Sequence, residues 1–308
     1  MRILNIILEG GNAIKTSSRI MLEEVNPTLK EIEKQILKPL GYSLNDIGLL
    51  GSTGKKSSSG DIDISINVPD IDAFYNELSS LIDYEINYMK TLHIVSVGFP
   101  IYSRNTQTDR IVQVDFMCTN NVEFTKFSYY SPYERNSNKN IPENEISDFK
   151  GLYRNKMFFA IARPVKYEVL ENIDGEDAVI RKLNFDLNLG LRELVQTRKG
   201  KKGLTKTFKT ETSSVITNNP RDIIDLLFGK DFNEMDVNTW EACCKTVEDN
   251  RFVNKHLIND IMEFLVKDIF ITIKTQKLSE EESYDLLDRL GSCFKKYKHL
   301  WDKEVENL

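Results

Sequence analysis

Two aspartates one residue apart, in Asp61-Ile62-Asp63-Ile64, are followed by a third in Val112-Gln113-Val114-Asp115-Phe116. Both segments alternate polar and apolar residues, the period of a strand, in which residues i and i+2 share a face. Asp61 and Asp63 therefore project together, away from Ile62 and Ile64, and Asp115 occupies the same polar-between-apolar setting. If the two strands are neighbours, three carboxylates converge on one face. Such a set repels itself until a cation neutralises it. Hard divalent ions do this, and Mg²⁺ takes one or two carboxylates together with substrate phosphates. Two such ions about 3.5–4 Å apart stabilise the attacking and leaving oxygens of an in-line displacement.

Upstream stands Leu50-Gly51-Ser52, separated from Asp61 by eight small or polar loop residues. Gly51 permits close approach of the backbone, so neighbouring N–H groups and the Ser52 hydroxyl can hold phosphate oxygens. Phosphoryl chemistry is mostly positioning plus charge neutralisation, and these residues supply both. Taken singly, each part has a plainer reading. An Asp-x-Asp often faces water on the polar side of a sheet, and Gly-Ser is common turn chemistry. Their ordered combination favours the functional reading.

These residues need a scaffold. The spacing of Leu29, Ile32, Ile36 and Leu40 predicts a helix over 26–40, with Asn26 as its cap and Pro27 in its first turn. Strands are expected at 47–50, 61–68, 92–100 and 111–118, and a second helix carries Ile71, Phe74, Leu78 and Leu81 on one side. Helix, strand, strand, helix, strand, strand reads as an α+β head, a small mixed sheet backed by helices. Residues 119–147 read as a long excursion, followed by a helix over 148–162 and hairpin-like segments over 165–198. From residue 219 the pattern turns helical, with about four helices, the last opened by the capping-box pair Ser279 and Glu282. The expected division is a head over 1–120, a middle extension over 121–215 and a C-terminal helical domain over 216–308.

LLGSTGKKSSSGDIDISI, with VQVDF downstream, resembles the DNA polymerase β-like nucleotidyltransferase superfamily over about residues 25–118. EGGNAIK near the start, FKGLYRN and VQTRKGK extend the likeness to phage-encoded nucleotidyltransferases, as far as about residue 230. The resemblance implies a polymerase β-like head in which Asp61 and Asp63 bind two Mg²⁺ ions and Asp115 binds the ion that activates an acceptor hydroxyl. It implies that Gly51 and Ser52 hold the triphosphate of a nucleoside triphosphate such as ATP. The reaction implied is attack of the hydroxyl on the α-phosphate, with release of pyrophosphate.

Other residues keep two readings. Lys55 and Lys56, between the glycine and the carboxylates, can meet the triphosphate or stand in solvent. Lys150, Tyr153 and Arg154 share a helix face, which either contacts phosphate or base or is simply the wet side. Glu9-Gly10-Gly11-Asn12 is either a turn that reaches the site or only a tight turn. The run RKGKKGLTKTFK, from Arg198 to Lys209, has six basic residues and no acid, and Phe208 could stack a base. It suits a nucleic-acid acceptor, tRNA or another RNA, or else is a solvated loop.

With 47 acidic against 41 basic residues the chain carries a formal charge of −6, which excludes a generally cationic nucleic-acid coat but not a local patch. Four cysteines and three scattered histidines form neither a disulfide framework nor a zinc site, and Cys243-Cys244 reads as packing. No stretch approaches the roughly 20 apolar residues of a membrane span, so a reduced, cytoplasmic setting is expected. Mg²⁺-dependent nucleotidyl transfer is the leading expectation. The rivals are a toxin-like or regulatory enzyme that nucleotidylates a protein or small molecule, and a non-catalytic virion or nucleic-acid-binding protein on the same scaffold.

Overall fold

The structure, a computed structural model, describes residues 13–135, 141–171, 178–199, 207–276 and 278–305. It is a mixed α+β chain of two compact units that divide between Gly151 and Leu152.

The first unit opens with β1 (Ile20–Met21) and α1 (Leu22–Ile32), which continues through a wider π-helical turn at Glu33–Leu37. Then come β2 (Ile47–Leu49), β3 (Ser58–Ser59), β4 (Asp61–Asn67) and α2 (Ile71–Leu81). β5 (Ile86–Met89), β6 (Ile94–Ser103), β7 (Thr106–Thr119) and α3 (Val122–Ser128) follow. The main sheet runs β2-β4-β7-β6-β5, parallel only between β4 and β7, and β1 pairs with β3 in a separate two-stranded ladder. The expected mixed sheet backed by helices is present.

Strand alternation builds the core. Ile62, Ile64 and Ile66 of β4, Val112, Val114 and Phe116 of β7, and Val95, Val97 and Phe99 of β6 are all buried in one cluster. Val25, Leu29 and Ile32 of α1 and Phe74 and Leu78 of α2 close over them. Each such side chain contributes about 1.5–3 kcal/mol. This burial fixes which sheet face is apolar, and so which face carries the odd-numbered residues of β4 and β7.

Three expectations need correction. The first helix starts at Leu22, a turn before Asn26, and Pro27 lies inside it. The chain leaves β1 directly into the helix, and the Glu24 carboxylate caps it by accepting from the Met21 N–H at 3.0 Å. The excursion after residue 119 contains α3, capped by Asn121, whose side chain accepts from the Phe124 N–H at 2.9 Å. The C-terminal helices number five among the described residues, not four.

In the second unit, α4 (Gly151–Ala162) leads into a four-stranded antiparallel sheet, ordered β11-β10-β9-β8. Its strands are β8 (Lys166–Glu171), β9 (Ala178–Asp186), β10 (Gly190–Lys199) and β11 (Thr207–Thr217). The five helices are α5 (Pro220–Leu227), α6 (Trp240–Glu248), α7 (Ile258–Thr275), α8 (Glu280–Ser292) and α9 (Lys298–Val305). The Ser279–Glu282 capping box forms as expected, and Cys243 and Cys244 are buried beside Trp240 in α6. Among the described residues no helix is long and apolar enough to cross a membrane.

Candidate metal centre

The face of the sheet opposite α1 and α2 carries Asp61, Asp63 and Ser65 from β4 and Gln113 and Asp115 from β7. In the parallel β4–β7 pair Asp63 stands directly across from Asp115 and Asp61 across from Gln113. Ser96 of β6 faces Asp115 from the other side. One oxygen from each of Asp61, Asp63 and Asp115 lies within 4.8 Å of the others. The expected convergence is therefore present, and it follows from alternation plus register.

These carboxylates are costly where they stand. Asp61 is 6% and Asp115 8% exposed, and Asp61 Oδ2 is buried without a hydrogen-bond partner. Burial, reinforced by the charge of Asp115, raises the Asp61 carboxyl from its ordinary 3.8 to about 6, against a pull downward from Arg19. Burial and then the charges of Asp61 and Asp115 push Asp63 well above the usual range. Asp115 is also raised by burial, offset in part by the neighbouring Ser96 hydroxyl and the Gln113 amide. Like charges gathered in a low-dielectric setting disfavour one another's ionised forms. A hard divalent cation reverses that balance, and three carboxylates with an open oxygen fit one.

The Gly-Ser loop is pinned to this cluster. Leu50 N–H donates to the Asp63 carbonyl at 2.9 Å, and Asp63 N–H donates to Thr53 Oγ1 at 3.0 Å. Gly51 has φ +55°, and a Cβ there would come within 2.6 Å of Asp63 Oδ2. Any side chain would displace the carboxylate and strain the backbone. Gly51's own N–H is committed to the Tyr129 carbonyl at 3.1 Å. Its contribution is thus shape, and the N–H groups of Ser52 and Gly54 make no hydrogen bond among the described residues. The Ser52 carbonyl accepts from Ser59 Oγ at 3.1 Å, which closes the loop on itself.

The candidates outside the trio fare differently. Lys55 does not stand free in solvent: its Nζ donates to the Ser131 carbonyl at 2.8 Å and stands 4.0 Å over the Tyr130 ring, pinning the loop. Lys56, half-buried, stays in the same loop. Arg154 is 1% exposed in the second unit, with Nε donating to the Val237 carbonyl at 2.8 Å and its guanidinium 4.5 Å from the Phe158 ring. It is a packing residue there, and Tyr153, 2% exposed, is no wet face either. α4 is buried on nearly every side, as its largely apolar sequence suits, and the buried face includes the polar run Arg154-Asn155-Lys156. Glu9 to Asn12 and 200–206 of the basic run lie outside the described residues, while Arg198, Lys199 and Lys209 fall on β10 and β11.

Two residues at the site escape sequence reasoning. Gln113 shares the strand face of Asp115, a signal present in Gln113-Val114-Asp115. Arg19, exposed just before β1, donates through Nε and Nη2 to the Ser58 hydroxyl and carbonyl at 3.0 and 2.9 Å, and its charge is felt by Asp61. Only the β1–β3 pairing brings it there. No family model matches the chain, and no curated protein matches its sequence.

Proposed function

We propose that the chain is a Mg²⁺-dependent nucleotidyltransferase on a polymerase β-like head, moving a nucleoside monophosphate from a nucleoside triphosphate to an acceptor hydroxyl. The observation that carries this reading is the trio of buried Asp61 and Asp115 and half-buried Asp63, with one oxygen of each within 4.8 Å of the others and Asp61 Oδ2 unpartnered. Asp61 and Asp63 would hold two ions and Asp115 the ion on the acceptor side. When bound, Mg²⁺ supplies charge neutralisation at the α-phosphate and a more acidic acceptor hydroxyl.

The chain's own residues do the rest. Ser52 and Gly54 offer backbone N–H groups, and Ser52 a hydroxyl, to the triphosphate oxygens. Gly51 lets that loop lie against Asp63. The acceptor hydroxyl gives its proton to solvent as its oxygen bonds to the α-phosphorus, the bond from that phosphorus to the oxygen bridging to the β-phosphate breaks, and pyrophosphate leaves. The basic residues between Arg198 and Lys209 favour a nucleic-acid 3′ end as acceptor.

Incubation with α-labelled triphosphates, RNA, DNA and cell lysate tests the reading. Label in RNA or DNA supports a nucleic-acid acceptor, and label in protein redirects the same chemistry to a protein side chain. Absence of label, with nucleic-acid binding that falls steeply with salt in wild type and Asp61→Asn alike, contradicts an enzyme.

A further inference from the structure

Gln113 is 2% exposed on β7, two residues before Asp115, so both side chains leave the strand on one face. Both ends of its amide are used. Nε2 donates to Asp115 Oδ1 at 2.9 Å and to Oδ2 at 3.0 Å. Oε1 accepts from the backbone N–H groups of Ala13 at 2.9 Å and Ile14 at 3.0 Å. This fixes the amide's orientation: the end facing two N–H donors must be oxygen, so the NH₂ group must face the carboxylate. The anchor is itself packed. Ile14 is buried beside Gly98, where a Cβ would come within 3.0 Å of Ile14 Cγ2. The Ile14 carbonyl accepts from the Ser17 N–H at 3.2 Å, and Ser18 N–H donates to the Ile111 carbonyl at 2.7 Å.

The other two carboxylates lack such a device. Asp61 Oδ2 meets no donor, and among the described residues no side chain donates to Asp63. Nε2 lies almost equally far from the two Asp115 oxygens, so one N–H is shared between them and the remaining lone-pair directions of both oxygens stay open.

We infer that Gln113 is a positioning residue: it aims the third carboxylate at the other two, and the backbone of Ala13 and Ile14 locks it in place. The inference rests on the metal-binding reading of the trio. The chain of contacts runs from the segment before β1, through one side chain, to a ligand about a hundred residues later. The two partners of Gln113 thus act on the site without touching a substrate.

Mn²⁺ binding to the full chain, read from the EPR signal of the free ion, tests this without any turnover. Gln113→Met keeps the length of the side chain and removes both hydrogen-bonding ends. It is expected to weaken Mn²⁺ binding by about tenfold or more, as loss of a ligand's hydrogen-bond partner does. Asp115→Asn is expected to weaken binding further, and the double variant to bind no worse than Asp115→Asn alone, since nothing remains to be aimed. Ala13→Pro, which deletes one donor to Oε1 and leaves β7 intact, should weaken binding less, and only while Asp115 is present. It decides the matter if Gln113→Met does not fold.

Losses that simply add, or binding equal to wild type in the variants, overturn the inference while leaving the metal site in place. A wild-type chain that binds no Mn²⁺, or an Asp61→Asn variant that binds it equally well, overturns the metal reading and this inference together.

Discussion

Each unit buries charge, and the two do so in opposite ways. On α4 of the second unit, Arg154, Asn155 and Lys156 are all at most 6% exposed, yet the cations are compensated. Lys156 Nζ lies 2.9 Å from Asp268 Oδ2, and Arg154 is bonded to the Val237 carbonyl and to Asn155 Oδ1. In the first unit, Asp61, Asp63 and Asp115 share one sign, stand within 4.8 Å, and leave an oxygen of Asp61 unpartnered. Compensated buried charge is explained by the fold that contains it. Uncompensated buried charge destabilises the chain alone and makes sense once something else binds.

The largest expected effect separates these cases outright. Asp61→Asn and Asp63→Asn should reduce nucleotidyl transfer roughly a thousandfold or more, the equivalent of losing several kcal/mol of charge stabilisation in the transition state. Urea unfolding should find both variants at least as stable as wild type, because repulsion has been relieved. Lys156→Met should do the reverse, costing about 2–3 kcal/mol of stability by leaving the partly buried Asp268 unpaired. Equal stability losses at Asp63 and Lys156 would erase the distinction.

A smaller effect comes from pH. Asp61 titrates at about 6 in the folded chain against an ordinary 3.8, so the folded state holds its proton more tightly. The resulting stability is fully present below about pH 4 and is lost as pH rises through about 6, to a total of about 3 kcal/mol. Wild type should therefore lose stability relative to Asp61→Asn across that window in EDTA. Mg²⁺ at pH 7 should restore it by binding only the folded state. A gain over the same window would mean that the trio is compensated, like the charges on α4.

The trio was legible because it needs only alternation, a local property, plus the adjacency of two strands. Gln113 stood in plain view in the same motif, but its role depends on amide groups at Ala13 and Ile14 that no local pattern links to it. Arg154 misled for the converse reason. Spacing places residues on a helix face, while tertiary partners decide whether that face is wet, and α4 is buried nearly all round. The ring of Pro27 suits a helix start, yet the β1–β3 pairing and the Glu24 cap begin the helix earlier and leave Pro27 inside it.

The smallest expected effect concerns Lys55, a cation with a structural occupation inside the unit that holds the uncompensated site. Lys55→Ala should cost about 1–2 kcal/mol, from the lost hydrogen bond to Ser131 and the contact with Tyr130. The KM for the triphosphate should stay unchanged. A raised KM with unchanged stability would return Lys55 to the phosphates.

Crystals grown with Mn²⁺ and a non-hydrolysable triphosphate, examined by anomalous scattering, test the central claim most directly. Anomalous peaks bonded to oxygens of Asp61, Asp63 and Asp115, with the triphosphate against Ser52 and Gly54, are the predicted result. Mn²⁺ and nucleotide bound elsewhere, with the three aspartates left to one another, would contradict it.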